Sequence, residues 1–182
     1  VIMPLGEGEL IEGIDDSKKL KPEERERLAA LIRERAIAYK ICEESSETID
    51  AINIWEATRL CMKRAVEGLA VQPDVVFTDG NFRLQIDLPQ QNIVRGDALS
   101  YTIGAASILA KVYRDALMCE YDKLYPQYGF AVHKGYGTKR HTDAIREYGL
   151  CEIHRRTFTK KFWERAESAG EQNTLNPSGT KF

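Results

Sequence analysis

Two aspartates at the ends of two short apolar runs are the residues of this sequence best placed to do chemistry. The stretch from Val75 to Asp97 is VVFTDGNFRLQIDLPQQNIVRGD. Its runs Asp74 to Thr78 and Asn92 to Val94 predict two buried strands of β-branched and aromatic residues. Each ends on an aspartate beside a glycine, Asp79 before Gly80 and Asp97 after Gly96. Laid side by side and parallel, the strands would bring Asp79 and Asp97 together at their carboxyl ends, the edge where open α/β sheets bind ligands. Two carboxylates there repel and raise each other's pKa unless a cation lies between them, and oxygen-only ligands favour Mg²⁺ or Mn²⁺. Asp-Gly and Gly-Asn are also ordinary turn dipeptides, so either aspartate taken singly is more often a turn residue than a ligand.

The surrounding pattern predicts the elements that hold this pair. Pro22 opens a helix through Arg35, with glutamates in its first turns and Leu28, Leu31 and Ile32 as its buried stripe. Ala36 to Cys42 reads as a strand, and Glu43 to Thr48 as a polar break. A second helix, Ile54 to Leu69, turns Ile54, Ala57, Cys61 and Ala65 inward, which makes Cys61 a small core residue rather than a nucleophile. Gln72-Pro73 stops that helix and launches the first strand. After Asp97 comes the longest helix, Ser100 to Leu124, where Gly104, Ala105, Ala106 and Ser107 permit close approach to the sheet. Lys111, Arg114 and Asp115 form a local charge network on it. Pro126 to Thr138 is a loop in which Tyr128 and Phe130, with Tyr125 just before it, serve packing, and Thr138 to Tyr148 is a short helix ended by Gly149. A helix over Lys160 to Ala169 and a disordered tail over Gly170 to Phe182 close the chain.

At 182 residues one domain with a real core is expected. A hydrophobic share of 43% beside a charged share of 30% fits a soluble globular protein rather than a disordered one. No apolar run is long enough to span a bilayer or resembles a signal peptide. Cys42, Cys61, Cys119 and Cys151 lack CxxC spacing, which disfavours a zinc site or disulfide framework and points to a reducing cytoplasm. His133, His141 and His154 have no metalloprotease spacing. His141 reads as a surface residue, while His133 and His154 either touch substrate or fix loops. The net charge of −2 is unevenly spread: His133 to Lys161 holds 8 Lys/Arg against 3 Asp/Glu, leaving 18 against 25 elsewhere. One basic surface could therefore meet phosphates, although charge runs are usually just solvated faces.

Thr78-Asp79-Gly80-Asn81, Arg95-Gly96-Asp97, and Ala105 to Val112 followed by Arg114-Asp115 resemble the ribonuclease HII family. Asp16-Ser17-Lys18-Lys19-Leu20, Tyr128-Gly129-Phe130, His133-Lys134-Gly135-Tyr136 and Ile153 to Phe158 match its remaining signatures in the same order. The resemblance runs from about the first residue to Phe158. It implies an RNase H-like α/β fold, a mixed sheet flanked by helices with a C-terminal helical extension, with a catalytic domain over 1–158 and a tail over 159–182. It further implies hydrolysis of the RNA strand of RNA–DNA hybrids, and of the phosphodiester 5′ of a ribonucleotide embedded in duplex DNA, using two ions of Mn²⁺ or Mg²⁺. Asp79 and Asp97 would be two of four catalytic, metal-holding carboxylates; Asp115 would not be one. Tyr136 would stack on a sugar and sense its 2′-hydroxyl. Ser17, Lys18 and Lys19 would hold the nucleic-acid backbone, and His133 and Lys134 would contact substrate. A cytoplasmic monomer, when complete, is expected.

One departure stands out. The family opens with a central strand carrying an Asp-Glu pair in a DEAGRG motif, whereas Val1-Ile2-Met3-Pro4 resembles only the tail of its second strand. The expectation is therefore an N-terminally truncated chain without its central strand, inactive and poorly stable as written. The alternatives are a nuclease-inactive nucleic-acid-binding fragment that keeps the basic face and Tyr136, and a truncation product without function.

Overall fold

The longest helix is the axis of the fold. The computed structural model describes residues 1–160. Its elements in chain order are α1 (Pro22–Arg35), α2 (Ser46–Glu67), β1 (Val76–Asp79), β2 (Gln90–Ile93), α3 (Gly96–Leu99), α4 (Tyr101–Leu124), α5 (Phe130–His133) and α6 (Lys139–Tyr148). The first half of α4 packs on α1: Leu28, Ala29 and Ile32 meet Ala105, Ile108 and Leu109, with Met3 and Ile11 closing the cluster. The second half supports a separate core, where Met118 meets Tyr128, Phe130, Ala144 and Ile145. A residue change at the start of α4 thus acts on one cluster, and at its end on the other.

Sequence and structure agree best where local signals are strong. Helix α1 starts at Pro22 with Glu23 and Glu24 in its first turn, complementing the helix dipole. Helix α6 starts after Thr138, whose side chain accepts from the His141 amide, and stops at Gly149, where φ is +77°. Strands β1 and β2 are parallel, in the register Val76 to Gln90 through Asp79 to Ile93. Strand β2 begins at Gln90, earlier than the apolar run suggests, because its side-chain amide bonds the loop backbone at Leu84, accepting from N–H at 2.9 Å and donating to C=O at 3.0 Å.

Three expectations are corrected. The mixed sheet is absent among the described residues, which contain one two-stranded parallel sheet. Ala36 to Cys42 forms no strand: the only ladder contact there is an isolated antiparallel bridge between Ile2 and Ala38. A strand is stabilised by its neighbour, and β1 stands across an open groove from this segment. Helix α2 begins earlier than expected, capped by Ser45, which accepts from the Thr48 amide at 3.2 Å. It kinks at Asn53 (φ 66°), whose carboxamide oxygen recaps the chain by accepting from Trp55 and Glu56 N–H at 2.9 and 3.1 Å. The restart coincides with the predicted start at Ile54. Of the predicted inward stripe Ala57 is buried, Ile54 is exposed, and Cys61 and Ala65 are half-buried on the groove wall.

Among the described residues no helix is long and apolar enough to cross a membrane. The four cysteines are unpaired. The helix expected over Lys160 to Ala169 and the disordered tail after it lie, from residue 161 on, outside the described residues.

Candidate active site

Asp79 is the last residue of β1, and its Oδ1 accepts from the Gly96 N–H at 2.8 Å. This bond ties the end of one strand to the turn that follows the other, and Asp97 is the next residue. Arg95 takes a left-handed conformation (φ 60°, ψ 37°), which turns the chain from β2 into the single turn α3. The Asp97 carboxylate is 15% exposed, with the Lys18 ammonium 3.8 Å away. The structure therefore brings together the two aspartates singled out by their strand endings, and a lysine of the Asp16 to Leu20 segment with them.

Two glycines make this closeness possible. A Cβ on Gly96 would stand 2.6 Å from Ile103 Cδ1. A Cβ on Gly104 would stand 3.0 Å from Ile14 Cγ2 and 3.2 Å from the Asp97 carbonyl oxygen. Helix α4 thus sits directly against both the Asp97 turn and the loop that carries Lys18. That loop is pinned by Ser17, which is buried and whose hydroxyl pairs with Ser107 on α4 at 2.9 Å. Ser17 consequently positions the loop, while Lys18 and Lys19 project to solvent. The Lys19 ammonium lies 3.3 Å from Asp15. A hydrogen bond from the Asp16 amide, then Lys19, holds the Asp15 carboxyl below its ordinary value.

Asp115 is engaged elsewhere, with Lys111 at 2.7 Å and Arg25 at 3.7 Å. Cys61 is no nucleophile, since burial and then nearby Cys42 push its thiol up to about 11.

Asp79 and Asp97 border a cavity of about 830 Å³ between β1, the Ile2–Ala38 bridge, α2 and α4. Ile37, Tyr39, Cys61, Phe77 and Ile103 give it apolar walls, and Ile37, Tyr39 and Phe77 are exposed. Such an exposed apolar channel beside a strand edge that is unpaired among the described residues is open to another strand. Among the described residues no three His, Cys, Asp or Glu side chains are assembled to hold a metal. The donor set present is two carboxylates, hard oxygen ligands of the type Mg²⁺ and Mn²⁺ take.

The Tyr136 loop lies against the middle of α4, one helical turn beyond Ser107. Tyr136 is 66% exposed, with Lys111 Nζ 5.9 Å from its ring centroid. Lys134 and Gly135 both have positive φ (51° and 82°), and they turn the backbone sharply just before Tyr136. Lys134 Nζ lies 2.9 Å from Cys119 Sγ. His133 is buried, with Nε2 2.8 Å from the Tyr128 carbonyl and Nδ1 3.2 Å from the Gly135 N–H, so neither nitrogen is free to meet a substrate. His141 is not at the surface as expected but 7% exposed, within the core of α6. The spacing His141, Ala144, Ile145 is the signal that places it on the apolar face. Asp50 of α2 accepts from the Arg156 N–H at 2.7 Å and the Thr157 N–H at 3.0 Å, and so holds the basic segment after His154.

This fold is that of the ribonuclease H2 from Pyrococcus horikoshii OT3, whose crystal structure superimposes with a TM-score of 0.69 at 23% identity, over 90% of this chain and 83% of that one. The ribonuclease HII family model matches residues 10–166. The chain is 53% identical over 146 residues to the ribonuclease HII of Desulfitobacterium hafniense, covering 80% of this chain and 56% of that protein. It is 48% identical over 152 residues to that of Pelodictyon phaeoclathratiforme, covering 83% and 74%. The chain belongs to the ribonuclease HII family. It spans little more than half the length of the first of these relatives and about three quarters of the second.

Proposed function

We propose that this chain is the greater part of an endoribonuclease that hydrolyses the RNA strand of RNA–DNA hybrids and cuts 5′ of a ribonucleotide in duplex DNA, with Mn²⁺ or Mg²⁺ as cofactor. The observation that carries the reading is the joining of Asp79 and Asp97 through the Gly96 N–H at the border of one cavity. Asp79 and Asp97 would hold a divalent ion, which when bound polarises the phosphoryl oxygen and lowers the pKa of water. The remaining tasks fall to the protein. Lys18, exposed beside Asp97, and Lys19, exposed beside Asp15, attract the phosphate backbone without reading sequence. The Tyr136 ring presents an open aromatic face to a sugar, and its hydroxyl can meet the 2′-hydroxyl that distinguishes RNA from DNA. Lys134 adds charge beside it, whereas Ser17 and His133 act by holding these loops in place.

Two carboxylates do not complete a two-ion site. The cavity along the free edge of β1 supports the family arrangement, in which a strand with an Asp-Glu pair lies between β1 and the segment at Ile2. Such a strand would cover Phe77 and Ile37 and set its own carboxylates beside Asp79. A basic, Tyr136-bearing fragment that binds nucleic acid without cutting is the competing reading, favoured by the absence of a third metal-holding side chain among the described residues.

A duplex with one embedded ribonucleotide separates the two. Cleavage in Mn²⁺ or Mg²⁺ by a chain extended with the family's N-terminal strand, lost in Asp79→Asn, supports the nuclease. Metal-independent junction binding with no cleavage by either chain supports the fragment.

A further inference from the structure

Three histidines that take no part in the carboxylate site cluster beneath Tyr136: His141 and His154 are hydrogen-bonded to each other, and His133 stacks on His141. His133 and His141 stack with ring centroids 4.4 Å apart and planes at 16°, and the His141 and His154 centroids are 5.2 Å apart. All three rings are buried, and Phe130 packs against each of them.

The hydrogen bonds admit one self-consistent set of tautomers. His141 Nδ1 lies 2.9 Å from the Tyr136 carbonyl oxygen, which can only accept, so Nδ1 carries the proton. His141 Nε2 is then a bare lone pair 3.0 Å from His154 Nε2, which must donate to it. His154 Nδ1 is left to accept, and the Cys151 N–H donates to it at 2.9 Å. The Cys151 thiol also lies 3.0 Å from that nitrogen, where it can donate but need not. Every donor meets an acceptor, from the Cys151 amide through two neutral imidazoles to the Tyr136 carbonyl. Burial lowers both histidines below their ordinary values, which keeps the pair neutral.

We propose that His141, aligned by His154, is a positioning residue for Tyr136, holding its carbonyl so that the exposed ring stands where it can read the sugar of a ribonucleotide. The proposal rests on the assignment of Tyr136 as the sugar-sensing residue. The backbone needs such a clamp, because Lys134 and Gly135 both sit in left-handed conformations and the Tyr136 ring, 66% exposed with the Lys111 ammonium 5.9 Å from its centroid, has little packing to fix it. Among the described residues the Tyr136 carbonyl otherwise accepts only from the Thr138 N–H at 2.8 Å. His133 anchors the preceding residue in the same way, accepting from the Gly135 N–H. The backbone that carries the ring is thus held from inside the core.

Two substitutions separate positioning from packing. An asparagine at His141 can return an N–H close to where Nδ1 stands, whereas a glutamine reaches the Nε2 position and leaves the Tyr136 carbonyl without its side-chain donor. The readout is fluorescence anisotropy of the full 182-residue chain, without metal. The probes are a labelled DNA duplex with one ribonucleotide and the all-DNA duplex of the same sequence, and the ratio of the two Kd values is the measure. Losing one such hydrogen bond corresponds to about fivefold. His141→Gln is expected to lower the ratio by about that factor and His141→Asn to keep it near wild type.

Equal ratios in the two variants overturn the proposal. If Tyr136→Ala abolishes discrimination and His141→Gln preserves it, the positioning role fails while the reading of Tyr136 stands. If wild type and Tyr136→Ala show the same ratio, both fail. Imidazole ¹⁵N NMR on the unsubstituted chain gives a second check that needs no variant to fold: a proton on Nδ1 of His141 and on Nε2 of His154 is expected, and the opposite tautomers overturn the relay.

Discussion

The histidine pair makes the stability of this chain depend on pH in a direction that can be worked out. In the unfolded chain His154 titrates at its ordinary value of 6.5, whereas in the fold burial, followed by the repulsion two protonated rings at His141 and His154 would meet, lowers it to about 4. Between these values the unfolded state binds the extra proton and the folded state does not, so stability rises with pH across this window. The His154 contribution is complete above about pH 6.5 and is lost as the pH falls toward 4. At about 1.4 kcal/mol per pH unit the displacement corresponds to about 3 kcal/mol. Urea unfolding at half-unit steps from pH 4 to 7.5, on wild type and on His154→Gln, measures it. Glutamine can keep the donor toward His141 but does not titrate, so the variant should be less stable at neutral pH and flatter below 6.5. Carboxylates that lose their partners in acid act on both proteins and cancel in the difference. Parallel curves through the window would falsify the linkage.

Other perturbations test the positioning of the carboxylates and the two cores. Asp79→Asn in the strand-extended chain should reduce cleavage to background while leaving circular dichroism and melting unchanged, because an Asn oxygen can still accept from the Gly96 N–H. Gly104→Val should destabilise by about 2 kcal/mol in urea, since overpacking against Ile14 and the Asp97 carbonyl outweighs any gain in helix propensity; a stabilised variant would show that α4 does not press on that turn. Leu28→Ala, at a side chain with no exposure, should cost about 3 kcal/mol by calorimetry or urea. Thr138→Ala should cost about 1 kcal/mol through loss of the α6 cap, and it should also loosen the segment that carries His141.

What sequence alone could determine were the features set by neighbouring residues. Pro22 and the glutamates behind it open α1, Thr138 and Gly149 bracket α6, and the small residues of α4 announce a close approach. The two aspartates at their glycine turns were also legible, but the parallel pairing that brings them together was open in the sequence and is decided by the fold, where Asp97 stands beyond the end of β2 in α3. The motif order from Asp16 to Phe158 carried the family. The strand expected over Ala36 to Cys42 was not decidable locally, since a ladder exists only if a partner strand stands beside it, and that place is an open groove. Strand β2 hid its start for a similar reason, its Gln90 being held by a loop rather than by apolar alternation. His141 read as a polar surface residue because its partners, the carbonyl of Tyr136 and the ring of His154, come together only when α6 folds back under the Tyr136 loop. Burial of a polar ring is favourable only with such partners in place, and which partners arrive is decided by tertiary structure.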